Sequence, residues 1–122
     1  MARVLIVDDD ESDRLGLAAA LRSDGHEIVL ARDGNEALEL YLARHVQVVV
    51  TDIVMPVRDG LSLIALLKEV DPGASVVAVS GKSPGKLEAS KTFGARVLSK
   101  PVDRRRLLSA VREAAAARGK RG

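Results

Sequence analysis

The stretch Val4-Leu5-Ile6-Val7-Asp8-Asp9-Asp10 decides the fold. Four apolar residues in a row, without alternation, read as a strand covered on both faces, the habit of parallel sheets flanked by helices. The run stops abruptly on carboxylates. The same design recurs: Val48-Val49-Val50-Thr51 ends in Asp52, Ser75-Val76-Val77-Ala78-Val79 ends in Ser80, and Arg96-Val97-Leu98-Ser99 ends in Lys100-Pro101. In an open parallel sheet the strand C-termini share one edge, and ligands bind at that edge. Carboxylates, a hydroxyl and an ammonium are therefore expected to meet at one spot.

Between these runs lie amphipathic stretches. The first helix is expected from about Glu11 to Ser23, with Leu15, Ala18, Ala19 and Leu21 at helical spacing, Asp10 as its cap and Gly25 at its end. A weaker strand at about 27–31 leads to a second helix capped by Asp33, with Ala37, Leu38, Tyr41 and Leu42 as its apolar stripe. The loop from Val54 to Gly60 leads to a helix at about 61–69, and Asp71-Pro72-Gly73 is a turn. Further helices are expected at about 84–92 and 102–117, around a fifth strand at about 95–98. Strict alternation of five strands with five helices means an α/β domain with right-handed crossovers. Residues 1–117 form one domain on this reading, and 118–122 a polar, disordered tail.

The chain has 122 residues, 47% hydrophobic and 30% charged, ordinary values for a globular domain. No apolar run is long enough to span a membrane and no secretory leader is evident, so a cytoplasmic protein is expected. With no cysteine, thiolate chemistry and zinc–thiolate sites are excluded. His26 and His45 fall at helix-to-strand turns and read as exposed loop residues. The net charge of +2 hides +6 on residues 100–122 and −4 on the remainder. With only Tyr41 and Phe93 as aromatics, base stacking has little to work with. The basic residues are read as a solvated helix face, and no direct DNA binding is expected.

If the strand order is 2-1-3-4-5, Asp8, Asp9 and Asp52 become neighbours. Packed carboxylates repel unless protons or a cation neutralise them. An all-oxygen donor set suits a hard ion, Mg²⁺ or Mn²⁺. Lys100 offers an incoming anion a fixed charge, and Ser80 a hydroxyl. A carboxylate can also be the nucleophile towards phosphorus. Asp10, Glu11 and Asp13 read as first-turn carboxylates favoured by the helix dipole and not as site residues.

Across about residues 3–115 the sequence resembles the receiver domains of two-component response regulators. The resemblance is carried by Val-Leu-Ile-Val-Asp8-Asp9-Asp10, by Asp52-Ile-Val-Met-Pro56-Val-Arg-Asp59-Gly60, by Ser80, by Gly94-Ala95 and by Lys100-Pro101, in this order. It implies a flavodoxin-like (βα)5 fold, a doubly wound parallel five-stranded sheet of order 2-1-3-4-5. It implies that Asp52 takes a phosphoryl group from a phosphohistidine on a sensor histidine kinase or histidine phosphotransfer protein. Asp8, Asp9 and Asp52 with the carbonyl of Val54 would hold the metal, and Lys100 would pair with carboxylate and phosphoryl group. Ser80 would report phosphorylation, and the Lys100–Pro101 bond would be cis. Asp59-Gly60 would shape the loop after the acceptor.

The chain departs from that family pattern in places. Val97 stands three residues before the lysine, where most receivers carry Tyr or Phe, so the aromatic half of the switch is absent or replaced. Gly81-Lys82 follows Ser80, with a cation at the rim of the site. The leading expectation is a non-enzymatic switch, stand-alone or cut from a longer regulator or hybrid kinase, with a protein partner on its helix 4–strand 5–helix 5 face. There Arg104, Arg105 and Arg112 would add positive charge over a buried stripe of Leu107, Leu108 and Val111. A phosphate sink or relay intermediate, or a Mg²⁺ phosphatase on the same fold, are the alternatives. A flavin or nucleotide binder is disfavoured, because the loops after strands one and three are acidic and lack a glycine-rich cradle.

Overall fold

The structure, a computed structural model, describes residues 1–55, 58–81 and 84–119. Its elements are β1 (Arg3–Val7), α1 (Glu11–Ser23), β2 (Glu27–Ala31), α2 (Gly34–Arg44), β3 (Val48–Asp52), α3 (Gly60–Val70), β4 (Ser75–Ser80), α4 (Pro84–Ser90), a 3₁₀ turn (Lys91–Phe93), β5 (Arg96–Ser99) and α5 (Arg104–Gly119). All pairings are parallel, in the order β2-β1-β3-β4-β5. β1 thus lies between β2 and β3, with Val7 level with Thr51, so the residues that follow, Asp8 and Asp52, leave the sheet side by side.

Side chains that alternate along each strand divide the core in two. Leu5, Val7, Val49, Val76 and Ala78 face α2, α3 and α4, and meet Tyr41, Leu63, Ile64, Leu67 and Leu87. Val4, Ile6, Val48, Val50, Val77 and Val79 face α1 and α5, and meet Leu17, Leu21, Leu107 and Val111. Each such side chain, fully withdrawn from water, contributes about 1.5–3 kcal/mol. Burial on both faces is what makes an unbroken valine run a good strand here.

One device starts four of the helices. Asp10, Asp33, Asp59 and Asp103 each accept the backbone N–H three residues on, from Asp13, Glu36, Ser62 and Arg106, at 2.8–3.0 Å. Each cap satisfies a donor that the helix itself leaves unpaired. In α5 this places the start after Pro101 and Val102, two residues beyond the sequence expectation.

Some expectations are corrected. In α1 the buried face is Leu17, Ala18 and Leu21, while Leu15 is exposed; Leu42 of α2 is exposed as well. His26 is not an exposed loop residue but is buried, its Nδ1 accepting the Ala2 N–H at 3.1 Å and its Nε2 lying 3.3 Å from Asp24. His45 is exposed as expected and closes α2 in a left-handed conformation.

The basic last helix is more than a solvated face. Arg104 donates to the Ser23 hydroxyl, Arg112 pairs with Asp24, and Arg118 donates to Asp71 at 2.9 Å and to the Gly73 carbonyl at 3.1 Å. Arg118 and Gly119 accordingly belong to α5 and not to a tail, because the guanidinium finds partners at the foot of the sheet. Residues 120–122 lie outside the described residues, as does Lys82.

Candidate functional site

The C-terminal ends of β1, β3, β4 and β5 deliver Asp8, Asp52, Ser80 and Lys100 to one edge. Asp8 is fully buried, and its Oδ1 accepts the Asp10 N–H at 2.9 Å. Asp52 is mostly covered, and its Oδ1 accepts the Val54 N–H at 3.2 Å. Asp9 is exposed at the rim. One oxygen from each of Asp8, Asp9 and Asp52 can be chosen so that all lie within 4.8 Å of one another.

The Lys100 ammonium reaches into this group, 3.3 Å from Asp8 Oδ2 and 3.2 Å from Asp52 Oδ2. Its backbone N–H bonds the Ser80 carbonyl at 3.0 Å, locking the ends of β4 and β5 together. The Lys100–Pro101 peptide bond is cis. Ser80 is buried beside them, level with Ser99. Val97, level with Ala78, is half-buried against the core layer that contains Leu87 of α4.

The loop after β3 is pinned at close quarters. Gly60 N–H donates to the Ile53 carbonyl at 2.8 Å, and a Cβ on Gly60 would fall 2.2 Å from the Asp52 carbonyl oxygen. Only glycine admits that approach, which brings the start of α3 against the end of β3. Asp59 caps α3 and pairs with Lys86 at 3.4 Å. Pro56 and Val57 lie outside the described residues.

The electrostatics follow from crowding. Burial pushes the Asp8 carboxyl above the ordinary carboxylate range; the Asp10 N–H and Lys100 pull the other way, and Asp52 adds to the rise. Burial works against the Lys100 charge, yet the carboxylates around it raise its pKa above that of an ordinary lysine. Lys100 is thus a permanent cation, and one ammonium does not balance the acids around it. The donor set is wholly oxygen, with an exposed carboxylate on the open side. Those are the terms on which a hard divalent ion is held, by a few carboxylates, a carbonyl and water.

Sequence reading found Asp8, Asp9, Asp52, Ser80 and Lys100, and the structure brings them together. It missed Asp13. That side chain was assigned to the helix dipole alone, whereas its Oδ2 lies 2.8 Å from the Lys100 ammonium. The available signal was positional: a carboxylate in the first turn of a helix that starts at the strand edge stands over that edge. An open groove leads away from the site between α1 and α5, past Gly16, Ala20, Val102 and Leu107.

Fold and site together define a parallel α/β domain with an acid-and-lysine cluster at the carboxyl edge of its sheet. The chain belongs to the receiver domains of two-component response regulators, whose family model, described as response regulator receiver domain, matches residues 4–112. A response regulator receiver protein of Anaeromyxobacter sp. (strain Fw109-5) is 38% identical over 110 residues, 88% of this chain and 46% of that protein. The sensor kinase CckA of Brucella abortus (strain 2308) is 36% identical over 118 residues, 92% of this chain and 12% of the kinase. The crystal structure of the signal receiver domain of an HD domain-containing protein from Pseudomonas fluorescens Pf-5 matches with a TM-score of 0.91 at 30% identity, over 98% of each chain. This chain therefore spans less than half the length of either full relative. Among the described residues no helix is long and apolar enough to cross a membrane.

Proposed function

We propose that Asp52 is the phosphoacceptor of this receiver and that Asp8, Asp9, Asp52 and the Val54 carbonyl hold Mg²⁺. The observation that carries the reading is the Lys100 ammonium shared between Asp8 and Asp52 at the mouth of the three-carboxylate cluster. In the step, an Asp52 oxygen forms the new P–O bond as the P–N bond of a phosphohistidine breaks. The electron pair stays on the imidazole nitrogen of a sensor histidine kinase or a phosphotransfer protein. Lys100 meets the charge on the transferred oxygens with an ammonium already in place. The bound metal supplies neutralisation of the same charge, and a template for the phosphoryl group. Ser80, buried at the end of β4, turns its hydroxyl to the phosphoryl oxygen and so registers the new state. The product is a stoichiometric aspartyl phosphate in a cytoplasmic switch, not an enzyme with turnover.

The response passes to a protein partner through α4, β5 and α5. Because Arg104 and Arg112 hold the end of α1, they contribute less to that face than the sequence pattern promised. A second reading, a phosphate sink or relay intermediate, is favoured by Val97: a side chain this small has little to swing inward when Ser80 moves.

The experiment is incubation with acetyl phosphate and Mg²⁺ followed by intact mass. One added phosphoryl group on the wild type, none on Asp52→Asn and none without divalent metal are expected. Equal labelling of the two proteins would falsify the assignment. Adding beryllofluoride with Mg²⁺ separates the two outputs: chemical-shift changes through residues 84–112 support the switch, and changes confined to the metal site support the sink.

A further inference from the structure

Lys100 divides its ammonium among three carboxylates. Beside Asp52 and Asp8 it meets Asp13 Oδ2, at 2.8 Å the shortest contact of the set. Asp13 is not a member of the metal-sized oxygen cluster. It rides on the first turn of α1, where its N–H is taken by the Asp10 cap, so its backbone is fixed while its carboxylate reaches over the strand edge.

We infer that Asp13 is a positioning residue that holds Lys100 in reserve, competing with Asp52 and with an arriving phosphoryl group for the one ammonium at the site. An ammonium has three N–H donors and no more. Three carboxylates occupy them, so a phosphoryl oxygen gains Lys100 only by displacing one. Asp8 is buried and tied to the Asp10 N–H, and Asp52 is tied to the Val54 N–H. The Asp13 side chain is 47% exposed and can turn to water, so its contact is the one given up. The pair with Lys100 is accordingly a modest, exchangeable one.

The inference rests on Asp52 as acceptor, and its test keeps the two apart. Glu11 supplies the control: it is an exposed carboxylate in the same turn of α1, outside the Lys100 contacts. Asp13→Asn and Glu11→Gln remove the same charge from the same place. With acetyl phosphate and Mg²⁺, labelling should be about three- to fivefold faster in Asp13→Asn and change by less than about 1.5-fold in Glu11→Gln, the range of a half-exposed ion pair. Adding Asp13→Asn to Lys100→Ala should bring no further gain, because the two act as one unit. In metal-free buffer the NMR signals of the Lys100 side-chain terminus should move in Asp13→Asn and stay in Glu11→Gln. Equal or slower labelling of Asp13→Asn, a gain that survives in Lys100→Ala, or unmoved Lys100 signals each overturn the inference. No label on the wild type would count against Asp52 as acceptor, and the metal-free comparison still decides the role of Asp13.

Discussion

Replacing Gly60 by alanine should damage fold and site together. The added Cβ would stand 2.2 Å from the Asp52 carbonyl oxygen, 2.7 Å from the Ile53 Cα and 2.9 Å from the Asp52 carbonyl carbon. All three are backbone atoms, so no rotamer change relieves the clash; the start of α3 must move by about 1 Å. Such overpacking costs about 1–3 kcal/mol. The shift also strains the 2.8 Å bond from Gly60 N–H to the Ile53 carbonyl, worth about 1 kcal/mol. A loss of about 2–4 kcal/mol is expected, against a total on the order of 10 kcal/mol for a domain this size. In metal-free urea denaturation the midpoint should fall by about 1–2 M. Gly16, inside α1, is the counterpart: a Cβ there meets nothing within 4 Å, so Gly16→Ala should gain about 0.5–1 kcal/mol. A Gly60→Ala loss below about 0.5 kcal/mol would refute the argument from close approach.

The group Tyr41–Asp71–Arg118 should behave as a tie at the foot of the sheet, and Arg118→Ala should cost about 1 kcal/mol by denaturation at pH 7. The Tyr41 hydroxyl and then Arg118 hold the Asp71 carboxyl below the ordinary range, so that contribution is present above about pH 4 and fades as acid protonates Asp71. Burial and then Asp71 push the Tyr41 phenol above its ordinary value, so its share is full below about pH 10 and is lost as pH rises. An Arg118→Ala penalty unchanged at pH 2 would contradict the tie. Asp9→Ala should weaken Mg²⁺ binding far more than Asp10→Ala, whose carboxylate caps α1; a Mg²⁺ titration with similar losses would remove the distinction. The aspartyl phosphate should be long-lived, because the Val54 side chain cannot orient an attacking water, and Val54→Asn should shorten its half-life; no acceleration counts against this.

The strands were legible because burial on both faces leaves a one-dimensional mark, an unbroken apolar run, and the site because each run ends on a chemically useful side chain. What escaped depends on partners remote in sequence. Asp13 looks complete as a first-turn acid until Lys100, 87 residues away, is placed beside it. His26 follows a glycine and reads as a turn, yet the Ala2 N–H needs an acceptor there. The arginines of α5 look solvated until Ser23, Asp24 and Asp71 are folded against them. Leu15 and Leu17, two residues apart, lie on opposite faces of α1, either of which could be apolar, and only the packing of the helix decides for Leu17.

The Arg118 contacts give α5 a mechanical asymmetry. The helix is 16 residues long, about 24 Å, and its final turn reaches across to the opposite layer, at the loop after α3. Its first turn follows Lys100 and Pro101 by a few residues. Arg104 and Arg112 tie its head and middle to the end of α1, within one layer, while Arg118 ties its foot to the other. The head of α5 would therefore move with the end of α1, and its foot with the loop after α3. Any movement of one helical layer against the other would be taken up along this one helix, between Arg112 and Arg118.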